Sequence, residues 1–294
     1  MKIRIGTRSS QLALAQTNKV AALLSIQYPE LNCEIVKIQT SGDKFLDQNL
    51  ATIGGKGLFL KEIENEMLAG NVDIAVHSLK DVPAMLPEGL EISCFLSRDD
   101  ARDVLISKDR YNFQTLPEGA TVGTSSPRRV LQLQMLRPDL HVVNLRGNIN
   151  SRLAKVEVGQ MDACVLAYAG LYRLNMHSRI DEVMSIYDMI PAIGQGIVCV
   201  EHRKEDEKIK QMLQSISSYE SERAAQIERD FMISLNGSCN APIAAYSYVE
   251  HDAMNLLAIY SENGKILKKQ YQEPLADCMN LGKLAANDML VNLR

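Results

Sequence analysis

The chain has 294 residues, 46% of them hydrophobic and 23% charged, with a formal net charge of -4. Such a composition belongs to a globular protein of two or three domains and excludes a disordered or fibrous chain. The slightly acidic balance argues against nucleic acid as a partner, and no apolar run approaches membrane-spanning length. The six cysteines form no CxxC pair and the five histidines show no metal-ligand spacing, so a reduced cytoplasmic protein without a metal site is expected. The opening MKIRIGTRSS runs directly into a strand pattern, so no secretory leader is expected.

Lys2 to Gly6 reads as a strand, Thr7-Arg8-Ser9-Ser10 as a turn, and Leu12 to Tyr28 as a helix that Pro29 closes. Cys33 to Gln39 alternates as a strand. Ser41 to Gly57, with Gly42, Gly54, Gly55 and Gly57, has little periodicity and reads as a lid, a binding loop or a disordered stretch. Phe59 to Ala69 is amphipathic helix. Val72 to Val76 is a buried strand ending in His77-Ser78-Leu79-Lys80-Asp81-Val82-Pro83. Leu90 to Phe95 and Asp103 to Ser107 are strands joined by the charged segment Ser97 to Arg102, a first domain crossover.

The stretch Thr124 to Arg152 holds Arg128, Arg129, Arg137, Arg146 and Arg152, with Asp139 as its only acid and no lysine. A guanidinium fork matches a carboxylate or phosphate with two bonds at a time, so repeated arginine beside small hydroxyl residues points to anion recognition. Thr121 to Gly123 ends a strand. Ser125 or Ser126 then caps a helix with Pro127 in its first position, and Arg128 and Arg129 in its first turn. His141 to Leu145 (strand), Arg146-Gly147-Asn148 (turn) and Ile149 to Val158 (helix) repeat the pattern. Two such turns are expected on one edge of a parallel sheet, where α/β proteins bind ligands. A solvated basic helix face is the plainer reading of any one of them.

Met161 to Ala167 is another buried strand. Pro191 to Gly196 leads into Ile197 to Glu201, a strand expected to return to the first domain; two crossovers between similar lobes make a hinge beside a cleft. Glu205 to Ser218 and Tyr219 to Leu235 read as helices. Strands follow at Pro242 to Val249, Asn255 to Ser261 and Lys265 to Gln272, the last two joined by the hairpin signal Asn263-Gly264, and a helix closes the chain from about Leu275 to Leu293. The domains are expected at 1–97 with 197–216, at 101–192, and at 219–294.

Three positions could carry chemistry. Cys239, in the polar loop Asn236 to Ile243, is either an accessible nucleophile suited to covalent attachment or an incidental loop thiol. Cys33, Cys94, Cys164 and Cys199 lie in apolar runs, where buried inert thiols are expected. Lys80 and Asp81 are either a surface ion pair or a lysine beside a carboxylate that steadies a developing cation. His77 reads as structural, with titration near neutral pH as its other possible use.

Together these motifs resemble one family, the porphobilinogen deaminases, also called hydroxymethylbilane synthases. The resemblance covers Ile5 to about Tyr246. It rests on Gly6-Thr7-Arg8-x-Ser10-x-Leu12-Ala13-x-x-Gln16, Gly54-Gly55-Lys56-Gly57-Leu58-Phe59 and Ala75-Val76-His77-Ser78-Leu79-Lys80-Asp81-Val82-Pro83. Further along it rests on Gly123-Thr124-Ser125-Ser126-x-Arg128-Arg129, Leu145-Arg146-Gly147-Asn148-x-x-x-Arg152-Leu153, Ala169-Gly170-Leu171-x-Arg173-Leu174 and Gln195-Gly196. The fold class is then α/β: two similar periplasmic-binding-protein-like (type II) lobes with a hinge and cleft, plus a third small α+β domain with an antiparallel sheet.

The resemblance implies a transferase that joins four porphobilinogen molecules head to tail into hydroxymethylbilane, losing ammonia at each step. The chain grows on a dipyrromethane cofactor held by a thioether to Cys239. Each pyrrole carries an acetate and a propionate, which Arg8, Ser10, Ser126, Arg128, Arg129, Arg146 and Arg152 bind, with Lys80 and Arg173 helping. Asp81 is the catalytic carboxylate, and Gln16, Phe59, Ser78 and Gln195 support the site. The stretch 41–57 corresponds to a loop over the cleft. A cytoplasmic monomer is implied, with porphobilinogen and the growing oligopyrrole as its ligands, no nucleic acid or membrane partner, and product passed to uroporphyrinogen III synthase. Departures are Ser238, where the family often has glycine, and the bulky Tyr168 before Ala169. The competing readings are a two-lobed small-anion-binding protein without catalysis and a phosphate-ester enzyme, the latter lacking any P-loop or metal-ligand cluster.

Overall fold

The computed structural model of the chain describes residues 1–40, 60–236 and 242–293. The stretch 41–57, Phe59 and Cys239 lie outside the described residues. In chain order the strands are β1 (Lys2–Arg8), β2 (Asn32–Ile38), β3 (Ile74–Ser78), β4 (Leu90–Phe95), β5 (Asp103–Ser107), β6 (Thr121–Gly123), β7 (His141–Val143), β8 (Ala163–Ala167), β9 (Glu182–Val183), β10 (Val198–Arg203), β11 (Ile243–Glu250), β12 (Ala253–Glu262) and β13 (Lys265–Pro274). The helices are α1 (Gln11–Gln27), α2 (Lys61–Leu68), α3 (Pro127–Leu136), α4 (Ile149–Glu157), α5 (Tyr168–Arg173), α6 (Glu207–Gln214), α7 (Tyr219–Ser234) and α8 (Leu281–Leu293). Two compact units result: Met1–Asp99 with Ile197–Ala225, and Asp100–Gly196 with Gln226–Arg294.

The first unit is built on a sheet of order β2-β1-β3-β10-β4. β1 runs parallel to β2 and β3, whereas β10 runs antiparallel to β3 and β4. The strand after Gly196 therefore does join the first sheet. Alternation places Ile3 and Ile5 of β1 on one face, where they pack with Val20 and Leu24 of α1. On the other face Ala75 packs with Ile63 and Met67 of α2. β3 is covered on both faces, which is why Ile74 to Val76 reads as an apolar run. α1 starts at Ser10, whose hydroxyl accepts from Ala13 N–H at 3.3 Å, and ends at Tyr28, the residue that Pro29 disfavours in a helix.

The second unit contains a sheet of order β7-β6-β8-β5-β9, with β6 parallel to β7 and β8, and β5 antiparallel to β8 and β9. The order matches that of the first sheet: three parallel strands in a 2-1-3 arrangement, then an antiparallel strand. Gly123, at the end of β6, has no room for a side chain, because a Cβ there would lie 2.3 Å from Met161 Sδ and 2.8 Å from Leu145 Cδ2. In the same unit β11, β12 and β13 form an antiparallel sheet. Asn263 and Gly264 both take positive φ in the β12–β13 hairpin, as its twist requires. α8 packs on α7 at Gly282, where a Cβ would fall 2.0 Å from Ile227 O.

Two local expectations need correction. The closing helix begins at Leu281, not Leu275, because Pro274 ends β13 and the next residues form a turn with a short 3-10 segment at Cys278–Asn280. The short elements α5 and β9 give no periodic signal and become visible only in the fold. Cys94, Cys164, Cys199 and Cys278 are buried free thiols, whereas Cys33 is half-buried. Burial pushes the Cys94 and Cys164 thiols up to about 12.

Candidate active site

In the first unit, β1 and β3 are neighbouring parallel strands, so their C-terminal ends open on one sheet edge. Arg8 ends β1, and Ser10 caps the helix that follows. β3 ends at Ser78, and Leu79–Asp81 makes one 3-10 turn. Leu79 is buried and anchors that turn; Lys80 is half-buried and Asp81 exposed. Gln16, 3% exposed on α1, donates from Nε2 to Ser78 Oγ at 2.7 Å. Arg8, Ser10, Gln16, Ser78, Lys80 and Asp81 are thus brought to a single edge.

The second unit repeats the arrangement with three turns, after β6, β7 and β8, at the C-terminal edge of its parallel strands. Ser126 is the N-cap residue of α3 with Pro127 in the first turn; its side chain makes no capping bond, and its N–H donates to Thr124 Oγ1 at 3.2 Å. Asn148 caps α4 by accepting from Ser151 N–H at 2.9 Å. Gly147 before it has φ 113°, a conformation open to glycine. Arg146 and Arg152 are half-buried, and Arg152 Nε donates to Gly147 O at 2.8 Å. Arg173, at the end of α5, donates to Gly196 O at 2.6 Å.

Arg128 and Arg129 are placed differently from a pair of surface cations. They are 3% and 6% exposed, and both turn inward onto Asp103, which begins β5 and is 0% exposed. Arg128 donates to Asp103 Oδ2 at 2.6 Å and to Ile190 O at 2.6 Å. Arg129 donates to Asp103 Oδ1 at 2.7 Å and to Val165 O at 3.0 Å. Gln195, 1% exposed, adds Nε2 to Asp103 Oδ1 at 2.8 Å and to Ala101 O at 2.6 Å. Burial alone would raise the Asp103 carboxyl, but the charges and hydrogen bonds of Arg128 and Arg129 bring it well below the usual carboxylate range. Burial draws Arg128 down from its ordinary value against the pull of Asp103.

Two guanidiniums share one carboxylate, so this trio carries one uncompensated positive charge. The Nε atoms of Arg128 and Arg129 are buried without a hydrogen-bond partner. A fixed net positive charge behind this edge favours an anionic group there through its field. Beside it, a groove of about 450 Å³ is lined by Thr124, Ser125, Val143, Asn144 and Pro242, the last three residues beyond Cys239. Among the described residues no cluster of three or more His, Cys, Asp or Glu side chains is arranged to hold a metal ion, and no helix is long and apolar enough to cross a membrane.

Sequence reasoning missed Asp103, Glu201 and Glu64. Asp103 opens a strand directly after the charged joint Ser97 to Arg102, where an acid is unremarkable. Glu201 had one usable signal, an acid closing the otherwise apolar strand Ile197 to Glu201, which must be paired if buried.

Two α/β sheets of one topology, each with cationic and hydroxyl groups on its C-terminal edge, define an α/β protein with two sheet edges suited to anionic groups. The model for the porphobilinogen deaminase dipyromethane cofactor binding domain matches residues 3–211, and that for the porphobilinogen deaminase C-terminal domain matches residues 223–291. The chain belongs to the porphobilinogen deaminase family. It is 43% identical over 290 residues to the porphobilinogen deaminase of Syntrophus aciditrophicus, covering 98% of this chain and 95% of the relative. Identity to that of Clostridium acetobutylicum is 43% over 290 residues, with 99% of each chain covered. With that of Chloroherpeton thalassium it is 48% over 247 residues, covering 84% of this chain and 79% of the relative. Among solved structures, the methionine binding protein MetQ is 13% identical, with a TM-score of 0.47, covering 78% of this chain and 95% of that one.

Proposed function

We propose that this chain is a hydroxymethylbilane synthase, condensing four porphobilinogen molecules into a linear tetrapyrrole with release of ammonia. The observation that carries the reading is the Ser78–Asp81 turn. It sets an exposed carboxylate beside Lys80 on the sheet edge that Arg8 also occupies, in a chain matched along its length by porphobilinogen deaminases.

Asp81 is the catalytic group. Loss of ammonia from the substrate's aminomethyl carbon leaves positive charge spread over the pyrrole, and a fixed carboxylate accepting from the pyrrole N–H stabilises it. Arg8, Lys80, Arg146, Arg152 and Arg173 are half-buried and meet the acetate and propionate groups, the arginines with two parallel bonds each. Arg128 and Arg129 act from below as fixed positive charge locked by Asp103, with Gln195 holding the carboxylate. Ser10 and Ser126 offer helix starts to an anion. Gln16 holds Ser78, and Phe59 supplies an aromatic surface.

The cofactor fits these residues because the second unit retains positive charge in excess of its buried counter-ion behind an edge where an anionic group would sit. When bound, dipyrromethane supplies the pyrrole carbon to which the first substrate unit is joined. Cys239 would hold it by a thioether. The domains would divide at 1–97 with 197–216, 101–192 and 219–294. The enzyme would act as a cytoplasmic monomer, with its product passing to uroporphyrinogen III synthase. The non-catalytic anion-binding alternative is not favoured, because the relatives that span the chain are named as deaminases.

The test is the intact mass of the denatured protein after incubation with porphobilinogen, beside Cys239→Ser. The expected result is a covalent increment of two deaminated porphobilinogen units, absent from the variant. An unchanged mass after incubation would overturn the reading.

A further inference from the structure

The buried side of β3 holds a group of ionisable side chains that the proposed chemistry does not use. His77 is 6% exposed, and its Nε2 lies 3.1 Å from Glu201 Oε2 on β10. Glu201 is 0% exposed. Glu64, 6% exposed on α2, faces the same pair. Burial first, and the charge of Glu201 second, push its carboxyl up to about 7, while His77 opposes them. One oxygen of each carboxyl, Glu64 Oε1 and Glu201 Oε1, is buried without a hydrogen-bond partner. Of the other elements packed here, β10 also sets the thiol of Cys199 opposite His77, and α1 brings the neutral amide of Gln16 to Ser78.

Two carboxyls and one imidazole in an apolar setting are least costly when their charges sum to zero. A proton held on Glu64 brings the group closer to that condition. The group sits directly behind the catalytic turn. His77 precedes Ser78 and lies four residues before Asp81. Just beyond the pair the backbone is clamped to the segment entering β10, where Leu79 N–H donates to Ile197 O at 3.0 Å. The side-chain bond from His77 to Glu201 and this backbone bond therefore hold the last residues of β3 against the same strand.

We propose that Glu201 is a positioning residue: through His77 it fixes the end of β3, and thereby the Ser78–Asp81 turn, with Glu64 packed against the same pair. The proposal rests on the reading of Asp81 as the group that acts on porphobilinogen. A displaced carboxylate weakens the stabilisation of developing charge more than it weakens binding of the ground state, so the effect belongs in kcat.

The experiment uses the full chain preincubated with porphobilinogen, with Glu201→Gln, Glu201→Asp and Glu64→Gln, assayed from pH 6 to 9. Glu201→Gln is expected to lower kcat by about 10- to 100-fold with KM within about twofold, and Glu201→Asp to recover part of the loss. Amide exchange at Leu79, Lys80 and Asp81 is expected to quicken about tenfold in Glu201→Gln. Glu64→Gln, a neutral isostere, should fold and gain thermal stability over the parent as pH rises from about 5 to 8. Parental kcat in Glu201→Gln at every pH, or unchanged exchange in the turn, would overturn the positioning role. A constant stability difference across pH in Glu64→Gln would overturn the proton held on Glu64. Lack of turnover by the parent chain would instead sink the functional reading, and exchange and stability would still decide the structural claim.

Discussion

Gln16 and Ser78, 62 positions apart, meet in a single hydrogen bond of 2.7 Å from the Gln16 amide to the Ser78 hydroxyl. Gln16 is 3% exposed, so its amide has little access to water if that partner is lost. The bond ties α1, which follows the Arg8 turn, to the residue at which the Asp81 turn begins. Ser78→Ala should therefore destabilise the chain by about 1–3 kcal/mol and lower turnover as well. Paired with Gln16→Leu in a double-mutant cycle, the two changes should couple by about 1 kcal/mol in denaturant unfolding. Additivity would show that the bond contributes nothing.

Asp81 stands in contrast, being exposed on its turn. Its replacement leaves no buried partner unpaired, so Asp81→Ala should melt within a few degrees of the parent. Its kcat on porphobilinogen should fall by about 100- to 1000-fold, the usual consequence of removing one preorganised charge-stabilising group. Near-normal turnover would remove Asp81 from the chemistry.

Asp103 is the counter-ion of two buried guanidiniums. Asp103→Asn should cost about 3–5 kcal/mol at pH 7, because Arg128 and Arg129 would lose the carboxylate that balances them. The folded carboxyl titrates below its unfolded value of about 3.9. Its stabilising contribution is therefore complete above about pH 5 and lost as pH falls through the acid range. Urea unfolding at pH 7 and pH 3 should show the gap between parent and variant narrowing at the lower pH. A gap that stays constant would exclude the linkage.

Glu228 of α7 is 0% exposed and accepts from Gly194 N–H at 2.7 Å and from Ser247 N–H at 2.8 Å. Both carboxylate oxygens are in use, and they join the Pro191–Gly196 segment and β11 to α7. Glu228→Gln turns one acceptor into a donor facing a backbone N–H. A loss of about 2–3 kcal/mol is expected in chemical denaturation. A variant as stable as the parent would show that these bonds can be exchanged for water.

The strand–turn–helix units, the helix start at Ser125 or Ser126 before Pro127 and the Asn263-Gly264 hairpin were legible in the sequence. Each depends on period, cap chemistry or positive φ within a few residues. The family motifs likewise singled out Arg8, Lys80, Asp81 and the arginines of the second unit as residues to watch. What those residues do with their side chains was not local. His77 and Glu201 are 124 positions apart, Gln195 and Asp103 are 92 apart, and Arg128 and Asp103 are 25 apart. Strand order and register alone bring them into contact. Burial then decided their character: Arg128 and Arg129, which read as surface forks, became a buried charge pair on Asp103 because the first turn of α3 faces the start of β5. The sequence by itself determined which groups stand at the sheet edges. Only the tertiary structure decided which of them water can reach and which are held by a partner, since solvation and pairing are properties of the packed surroundings.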